Sequence, residues 1–122
     1  MGKVRTILVI DDSNTSLLLL EWALKKEGHN VLLASSVTEA RKLIEAGKPD
    51  LILLDLFMPD VTGYEFLKMK SELNIEDIPV IIVSAYDSQE SVKQTKELGA
   101  TKFIAKPFNM EEIVKTVQNL IA

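Results

Sequence analysis

Residues 51–60 read Leu51-Ile52-Leu53-Leu54-Asp55-Leu56-Phe57-Met58-Pro59-Asp60: four apolar residues in a row that end on a carboxylate. Such a run, with no polar alternate, fits a strand covered on both faces, as in a parallel sheet. Two other stretches share the character. Thr6-Ile7-Leu8-Val9-Ile10 runs into Asp11-Asp12, and Val80-Ile81-Ile82-Val83 runs into Ser84. Residues 31–34 and 102–105 complete a set of five short β-rich runs.

Between these runs lie longer segments of helical period, and their starts are punctuated. Ser36-Val37-Thr38-Glu39, Thr62-Gly63-Tyr64-Glu65, Asp87-Ser88-Gln89-Glu90 and Asn109-Met110-Glu111-Glu112 each place a carboxylate three positions after a short polar residue. That is the pattern of a capping box. Gly28, Gly47 and Gly99 fall where helices should stop. Pro49 and Pro79 fall just before strands, where a missing N–H does little harm. Strand and helix thus alternate five times. This predicts one α/β domain over residues 1–122, a doubly wound (βα)5 parallel sheet with right-handed crossovers and helices on both faces.

Composition narrows the functions. A chain of 122 residues can bury an ordinary core without staples. Eighteen acidic against fourteen basic residues give a net charge of −4, which argues against direct nucleic-acid or anionic-membrane binding. The lack of cysteine excludes disulfides, thiolate metal sites and Cys nucleophiles, and a single histidine, His29, excludes a multi-histidine metal site. No apolar run approaches the ~18 residues needed to span a bilayer. Ile7 to Ile10 meets Asp11 too soon to be the core of a signal peptide. Met1-Gly2-Lys3-Val4-Arg5-Thr6 has the outline of a lipidation signal, but a strand starting near Arg5 leaves little free tail. The expected location is cytoplasmic, with no membrane insertion.

In open α/β sheets, ligands bind outside the carboxyl ends of the strands, where strand order reverses. Asp11 and Asp12 follow the first strand, Asp55 the third, Ser84 the fourth and Lys106 the fifth. The second strand offers only Ser35 and Ser36, which read as a helix start. The strand order 2-1-3-4-5 puts the second strand at an edge and gathers the other four ends. Three carboxylates, a hydroxyl and an ammonium then share one shallow site. Close carboxylates repel, so positive charge is required. Lys106 supplies one unit, and a hard divalent cation supplies the rest. Mg²⁺ takes oxygen ligands, often one or two carboxylates plus a phosphate. The donor set holds nothing soft for zinc or copper.

At these residues the chain resembles the receiver domain of two-component response regulators, and in size the stand-alone chemotaxis type. The motifs are Asp11-Asp12, Leu53-Leu54-Asp55-Leu56-Phe57-Met58-Pro59-Asp60 with Gly63, Val83-Ser84-Ala85 and Lys106-Pro107-Phe108. All four stand at the right strand ends, in the right order. The resemblance covers essentially the whole chain and implies a flavodoxin-like fold. It implies a phosphorylatable switch rather than an enzyme, one that catalyses only transfer to its own Asp55 and slow self-dephosphorylation. The phosphodonor would be a phosphohistidine on a histidine kinase or histidine phosphotransferase. Asp12, Asp55 and the backbone carbonyl of Phe57 would ligate Mg²⁺, with Mn²⁺ as a substitute, and Asp11 would act through metal-bound water. Lys106 would pair with Asp55 and then with a phosphoryl oxygen, and Ser84 would donate to the phosphoryl group. Pro107 implies a cis Lys106–Pro107 bond that aims the lysine. Output in the family follows when the Ser84 position moves and an aromatic on the fifth strand, here Phe103, turns inward. The fourth helix, fifth strand and fifth helix then present an altered face to a downstream protein.

Some positions depart from common family choices. Phe103 is often Tyr, so a switch contact through that hydroxyl is absent, whereas Ser84, often Thr, keeps its donor. Phe57 and Tyr86, two residues after Asp55 and Ser84, flank the expected path of the attacking water. Two aromatics there imply slow self-dephosphorylation. On the first helix, Leu17, Leu20 and Leu24, with Ala23 beside them, form a stripe toward the sheet. Leu18, Leu19 and Trp22 fall on the other side, and an exposed cluster of this kind reads as a contact surface. Family geometry assigns it to the phosphodonor, with self-association or an interdomain contact as alternatives. Asp60 and Gly63 read as turn residues and His29 as a loop residue. Among other functions, an Asp-nucleophile phosphohydrolase would need an Asp-x-Asp pattern and a cap domain, and Asp11-Asp12-Ser13-Asn14 does not fit. A flavin or nucleotide binder would need a phosphate loop where Asp11 and Asp12 stand. A non-phosphorylated pseudo-receiver scaffold has no feature in its favour.

Overall fold

The runs that end on Asp11, Asp55 and Ser84 form the interior of one parallel sheet, and those at residues 30–34 and 102–105 form its edges. The computed structural model describes residues 4–121, so Met1-Gly2-Lys3 of the lipidation pattern lies outside the described residues. The elements are β1 (Thr6–Ile10), α1 (Asn14–Lys26), β2 (Asn30–Ala34), α2 (Val37–Ala46), β3 (Leu51–Leu54), α3 (Gly63–Lys68), β4 (Val80–Ser84), α4 (Gln89–Glu97), β5 (Lys102–Ala105) and α5 (Met110–Ile121). The sheet order is β2-β1-β3-β4-β5, as expected. Every residue of β3 and β4 is buried, while β2 and β5 are only partly so.

Alternation along each strand sorts its side chains to two faces. Ile7, Val9, Leu51, Leu53, Ile81, Val83 and Ile104 pack with Leu17, Leu20 and Leu24 of α1 and Ile113 and Val117 of α5. Leu8, Ile10, Ile52, Leu54, Val80 and Ile82 pack with Val37, Ala40 and Ile44 of α2 and Phe66 and Leu67 of α3. By the same parity Asp11, Asp55 and Lys106 extend the rows that face α1 and α5, and Ser84 extends the row that faces the other way.

Four helices start on the polar residues the sequence marks, with two differences in detail. Ser36, Thr62 and Asn109 cap α2, α3 and α5. The cap of α4 is Ser88, which accepts the Ser91 N–H at 3.1 Å, and not Asp87 one residue earlier. At α2 the box is not closed in the usual way. The Glu39 carboxylate bonds the hydroxyl and N–H of Ser35, one residue before the cap. Gly28 and Gly99 take the left-handed conformation just after α1 and α4, where a β-carbon would be strained. Among the described residues no helix is long and apolar enough to cross a membrane.

Candidate functional site

The parallel ladder continues one residue past the strands and so sets the backbone of the site. Asp11 N–H donates to the Ala34 carbonyl at 3.0 Å, Asp55 N–H to Ile10 at 2.9 Å and Lys106 N–H to Ser84 at 2.9 Å. The register pairs Ile10 with Leu54, so Asp11 and Asp55 follow side by side. Carboxylate oxygens of Asp11, Asp12 and Asp55 come within 4.8 Å of one another. Asp11 and Asp55 are buried and Asp12 is exposed. The Lys106 ammonium donates to Asp11 Oδ2 at 2.7 Å and to Asp55 Oδ2 at 3.2 Å.

Two features of these contacts are not legible in the sequence. The shorter Lys106 bond goes to Asp11, whereas the family resemblance points to Asp55. The Asp55 carboxylate is also oriented by its own neighbour, because Leu56 N–H donates to Oδ1 at 2.7 Å. Asp11 is engaged at both oxygens, since Ser13 N–H donates to Oδ1 at 2.9 Å. Burial raises the Asp11 carboxyl above its ordinary range, although the Lys106 and Ser13 hydrogen bonds pull the other way. Burial alone would lower the Lys106 ammonium. The hydrogen bond and charge of Asp11, with Asp55 behind them, outweigh burial and hold it above the ordinary lysine value. The site thus carries more negative charge than its lysine neutralises. Three hard oxygen donors in this surplus fit Mg²⁺.

The remaining expected residues lie around this centre. Ser84 is fully buried at the end of β4, and its Oγ accepts the Tyr86 N–H at 3.2 Å. Phe57 and Tyr86 do meet, with ring centroids 4.0 Å apart, and Tyr64 adds an edge to Phe57 at 6.2 Å. The Tyr64 hydroxyl donates to Ser91 Oγ of α4 at 3.0 Å, a link between α3 and α4 that no sequence pattern signals. Phe103 is half-buried against the core cluster of α2 and α3. The Lys106–Pro107 bond is cis. Leu18, Leu19 and Trp22 are apart from the acidic site on α1, exposed at 62%, 40% and 59%. Trp22 also lines a groove with Met110 and Val114 of α5. His29 is a half-buried loop residue before β2.

Asp60 stands in a bend of the chain, in keeping with a turn residue, but its contacts reach further. It closes more than its own turn. Its carboxylate accepts the Val37 and Thr38 N–H groups at 3.3 and 2.9 Å and the Thr38 hydroxyl at 2.6 Å. No local pattern could signal partners 22 and 23 residues upstream.

A five-stranded parallel sheet in this order, with an acidic cluster and a lysine at the carboxyl ends of its strands, defines a small class of phosphate-handling signalling domains. Comparison with known proteins gives the same class. The response regulator receiver domain family matches residues 7–118. Sporulation initiation phosphotransferase F of Bacillus subtilis (strain 168) is 36% identical over 115 residues, 94% of this chain and 92% of that protein. The transcriptional regulatory protein KdpE of Staphylococcus aureus (strain NCTC 8325 / PS 47) is 39% identical over 108 residues, which are 88% of this chain. This chain spans only 46% of KdpE. The crystallized chemotaxis protein CheY4 of Vibrio cholerae superposes with a TM-score of 0.90 at 29% identity, covering 97% of this chain and 99% of that one. The chain belongs to the response-regulator receiver family of two-component systems, whose members take phosphate from histidine kinases or phosphotransferases.

Proposed function

We propose that this domain is a phosphorylatable switch in which Asp55 accepts the phosphoryl group of a phosphohistidine. The observation that carries the reading is the convergence of Asp11, Asp12 and Asp55 with Lys106 bonded to two of them. An Asp55 carboxylate oxygen forms the new P–O bond as the P–N bond to imidazole breaks, and the electron pair leaves on the imidazole nitrogen. Asp55 needs little reorganisation, because the Leu56 N–H and Lys106 already hold its two oxygens. Lys106 then moves its charge toward the phosphoryl oxygens. Asp12, Asp55 and the Phe57 carbonyl would hold Mg²⁺ directly and Asp11 through water, and the shorter Lys106 bond goes to Asp11. When bound, the ion neutralises charge between carboxylate and phosphoryl group, the main requirement of such transfer.

Ser84 would turn its hydroxyl to the new phosphoryl group and so alter the segment after β4. The downstream partner would read α4, β5 and α5, with Phe103 as the inward-turning aromatic. The touching rings of Phe57 and Tyr86 would screen the acyl phosphate from water, making its loss slow. Leu18, Leu19 and Trp22 would dock the phosphodonor. The domain would turn over no substrate of its own.

The test is intact mass after incubation with Mg²⁺ and acetyl phosphate. One added phosphoryl group is expected in the wild type, only with Mg²⁺, and none in Asp55→Asn. Addition to Asp55→Asn would overturn the assignment. If no addition occurs in the wild type, BeF₃⁻ with Mg²⁺ separates a receiver that requires a docked donor, which binds it, from a scaffold, which does not.

A further inference from the structure

The loop between β3 and α3 carries the Phe57 carbonyl that the proposed function gives to Mg²⁺, and the role of Asp60 inferred below rests on that proposal. The loop is held at two places by different means. At its base, Gly63 N–H donates to the Leu56 carbonyl at 2.7 Å. There a β-carbon on Gly63 would stand 2.5 Å from the Asp55 carbonyl oxygen. At its tip, Asp60 reaches across to α2.

The N-terminus of α2 exposes N–H groups with no partner inside the helix. Ser36 Oγ takes the Glu39 N–H, and Asp60 takes those of Val37 and Thr38. The first three amides of the helix are thereby shared between a local cap and a carboxylate from another loop. The charge suits the place, since a helix N-terminus favours an anion. Slight burial would raise the Asp60 carboxyl, but the Thr38 hydroxyl and the N–H groups of Thr38, Val61 and Val37 pull it down to about 2. The carboxylate is therefore ionised and bonded throughout the neutral range.

We propose that Asp60 is a positioning residue for the metal site. By clamping the loop tip to the first turn of α2, it fixes the direction of the Phe57 carbonyl and couples that turn to Mg²⁺ binding. Coupling is reciprocal: if the clamp favours the ion, the ion tightens the clamp. Asp60 touches neither the ion nor the phosphoryl group. Its effect passes through the loop backbone.

The experiment is a Mg²⁺ titration followed by calorimetry and by amide NMR on the wild type, Asp60→Ala, Asp60→Asn and Thr38→Val. In the wild type, Mg²⁺ slows hydrogen exchange at the Val37 and Thr38 amides. Asp60→Ala loses about tenfold in Mg²⁺ affinity, the scale for groups that orient ligands from behind, together with that response. Thr38→Val changes no charge and leaves the loop untouched, and it moves affinity the same way by less. Asp60→Asn keeps an acceptor oxygen and recovers most of the affinity. Wild-type affinity in both Asp60→Ala and Thr38→Val overturns the inference. So does an equal loss in Asp60→Ala and Asp60→Asn, which would make Asp60 a distant charge only. A wild type that binds no Mg²⁺ overturns the proposed function itself, and the two failures are thereby distinct.

Discussion

Replacing Gly63 by alanine adds one methyl group where the structure has no room for it. Gly63 opens α3 and is buried, and its backbone is not in the left-handed region. Helix propensity therefore favours the variant, by up to about 1 kcal/mol. Space opposes it. The new carbon would lie 2.5 Å from the Asp55 carbonyl oxygen, 2.9 Å from Leu56 Cα and 3.1 Å from Leu56 Cδ2. The two nearest atoms are backbone, held by the Asp55 N–H bond to Ile10 and the Gly63 N–H bond to the Leu56 carbonyl, and cannot swing aside. Overpacking of this kind costs about 1–3 kcal/mol. At ~2.1 cal/mol/K per residue, 122 residues give an unfolding entropy of about 0.26 kcal/mol/K, so 1 kcal/mol is about 4 °C; a contact this short sits at the upper end, and about 3 kcal/mol less the ~1 kcal/mol of propensity leaves an expected fall of about 8 °C. The control is Gly47→Ala. Gly47 has an extended φ of 175° and nothing within 4 Å of an added carbon. That variant should be neutral or gain about 0.4–1 kcal/mol from a less flexible unfolded chain. Thermal unfolding by far-UV circular dichroism reads both, and a Mg²⁺ titration reads any shift that displacement of the Asp55–Leu56 backbone passes to the neighbouring Phe57 carbonyl. A Gly63→Ala melting point within about 2 °C of wild type, at unchanged Mg²⁺ affinity, would refute the close approach.

Four further outcomes are expected. Burial raises the Asp11 carboxyl, so its ionised form is disfavoured in the folded state and costs stability at neutral pH. Asp11→Asn should therefore melt higher than wild type without Mg²⁺ and gain less from adding it; a lower melting point would contradict the cause assigned to the shift. Asp60 titrates at about 2 against an ordinary 3.8, so the stability it adds is complete above the higher value and lost as pH falls toward the lower. Urea denaturation should show the Asp60→Ala deficit shrinking across that window, and a deficit that holds constant through it would rule out the carboxylate as its source. Once the domain is phosphorylated, Phe57→Ala and Tyr86→Ala should each speed loss of the phosphoryl group several-fold, followed by intact mass with time. Unchanged rates would remove the aromatic pair from any screening role. Trp22→Glu should slow transfer from a phosphohistidine protein and leave acetyl phosphate labelling intact, whereas equal loss with both donors would argue against docking on α1.

The sheet was legible because its signal is local. A run such as Leu51 to Leu54 states its own burial, and the lack of a chemistry-bearing group at the end of β2 places that strand at an edge, as observed. The carboxylates were legible because strand ends in one order converge, whatever the details of packing. The exposed Leu18, Leu19 and Trp22 followed from helical period alone. What escaped is pairwise. Lys106 prefers Asp11 over Asp55 by half an ångström, a choice made by side-chain reach across separate strands. Asp60 looks like a turn residue because its partners are in another helix. Phe57 and Tyr86 were expected about one path, but Tyr64, whose ring edge meets Phe57 from a third segment, was not. The cap of α4 slipped by one residue because Asp87 and Ser88 are both competent caps, and sequence alone does not rank them.

The parity of the strands has a consequence for how a message would travel. Asp11, Asp55 and Lys106 continue the row of residues that faces α1 and α5, while Ser84 continues the row that faces α2 and α3. The sheet is thus a partition with the acidic cluster on one side, and under the proposed function Ser84 would be the doorway in it. Phe103 packs on the doorway's far side. Helix α1 could not be recut for a new donor in isolation, because Trp22 shares a groove with Met110 and Val114 of α5, which belongs to the proposed output face on the same side of the wall. Closing the doorway with Ser84→Ala would leave a domain that still takes up its phosphate but tells its neighbours little about it.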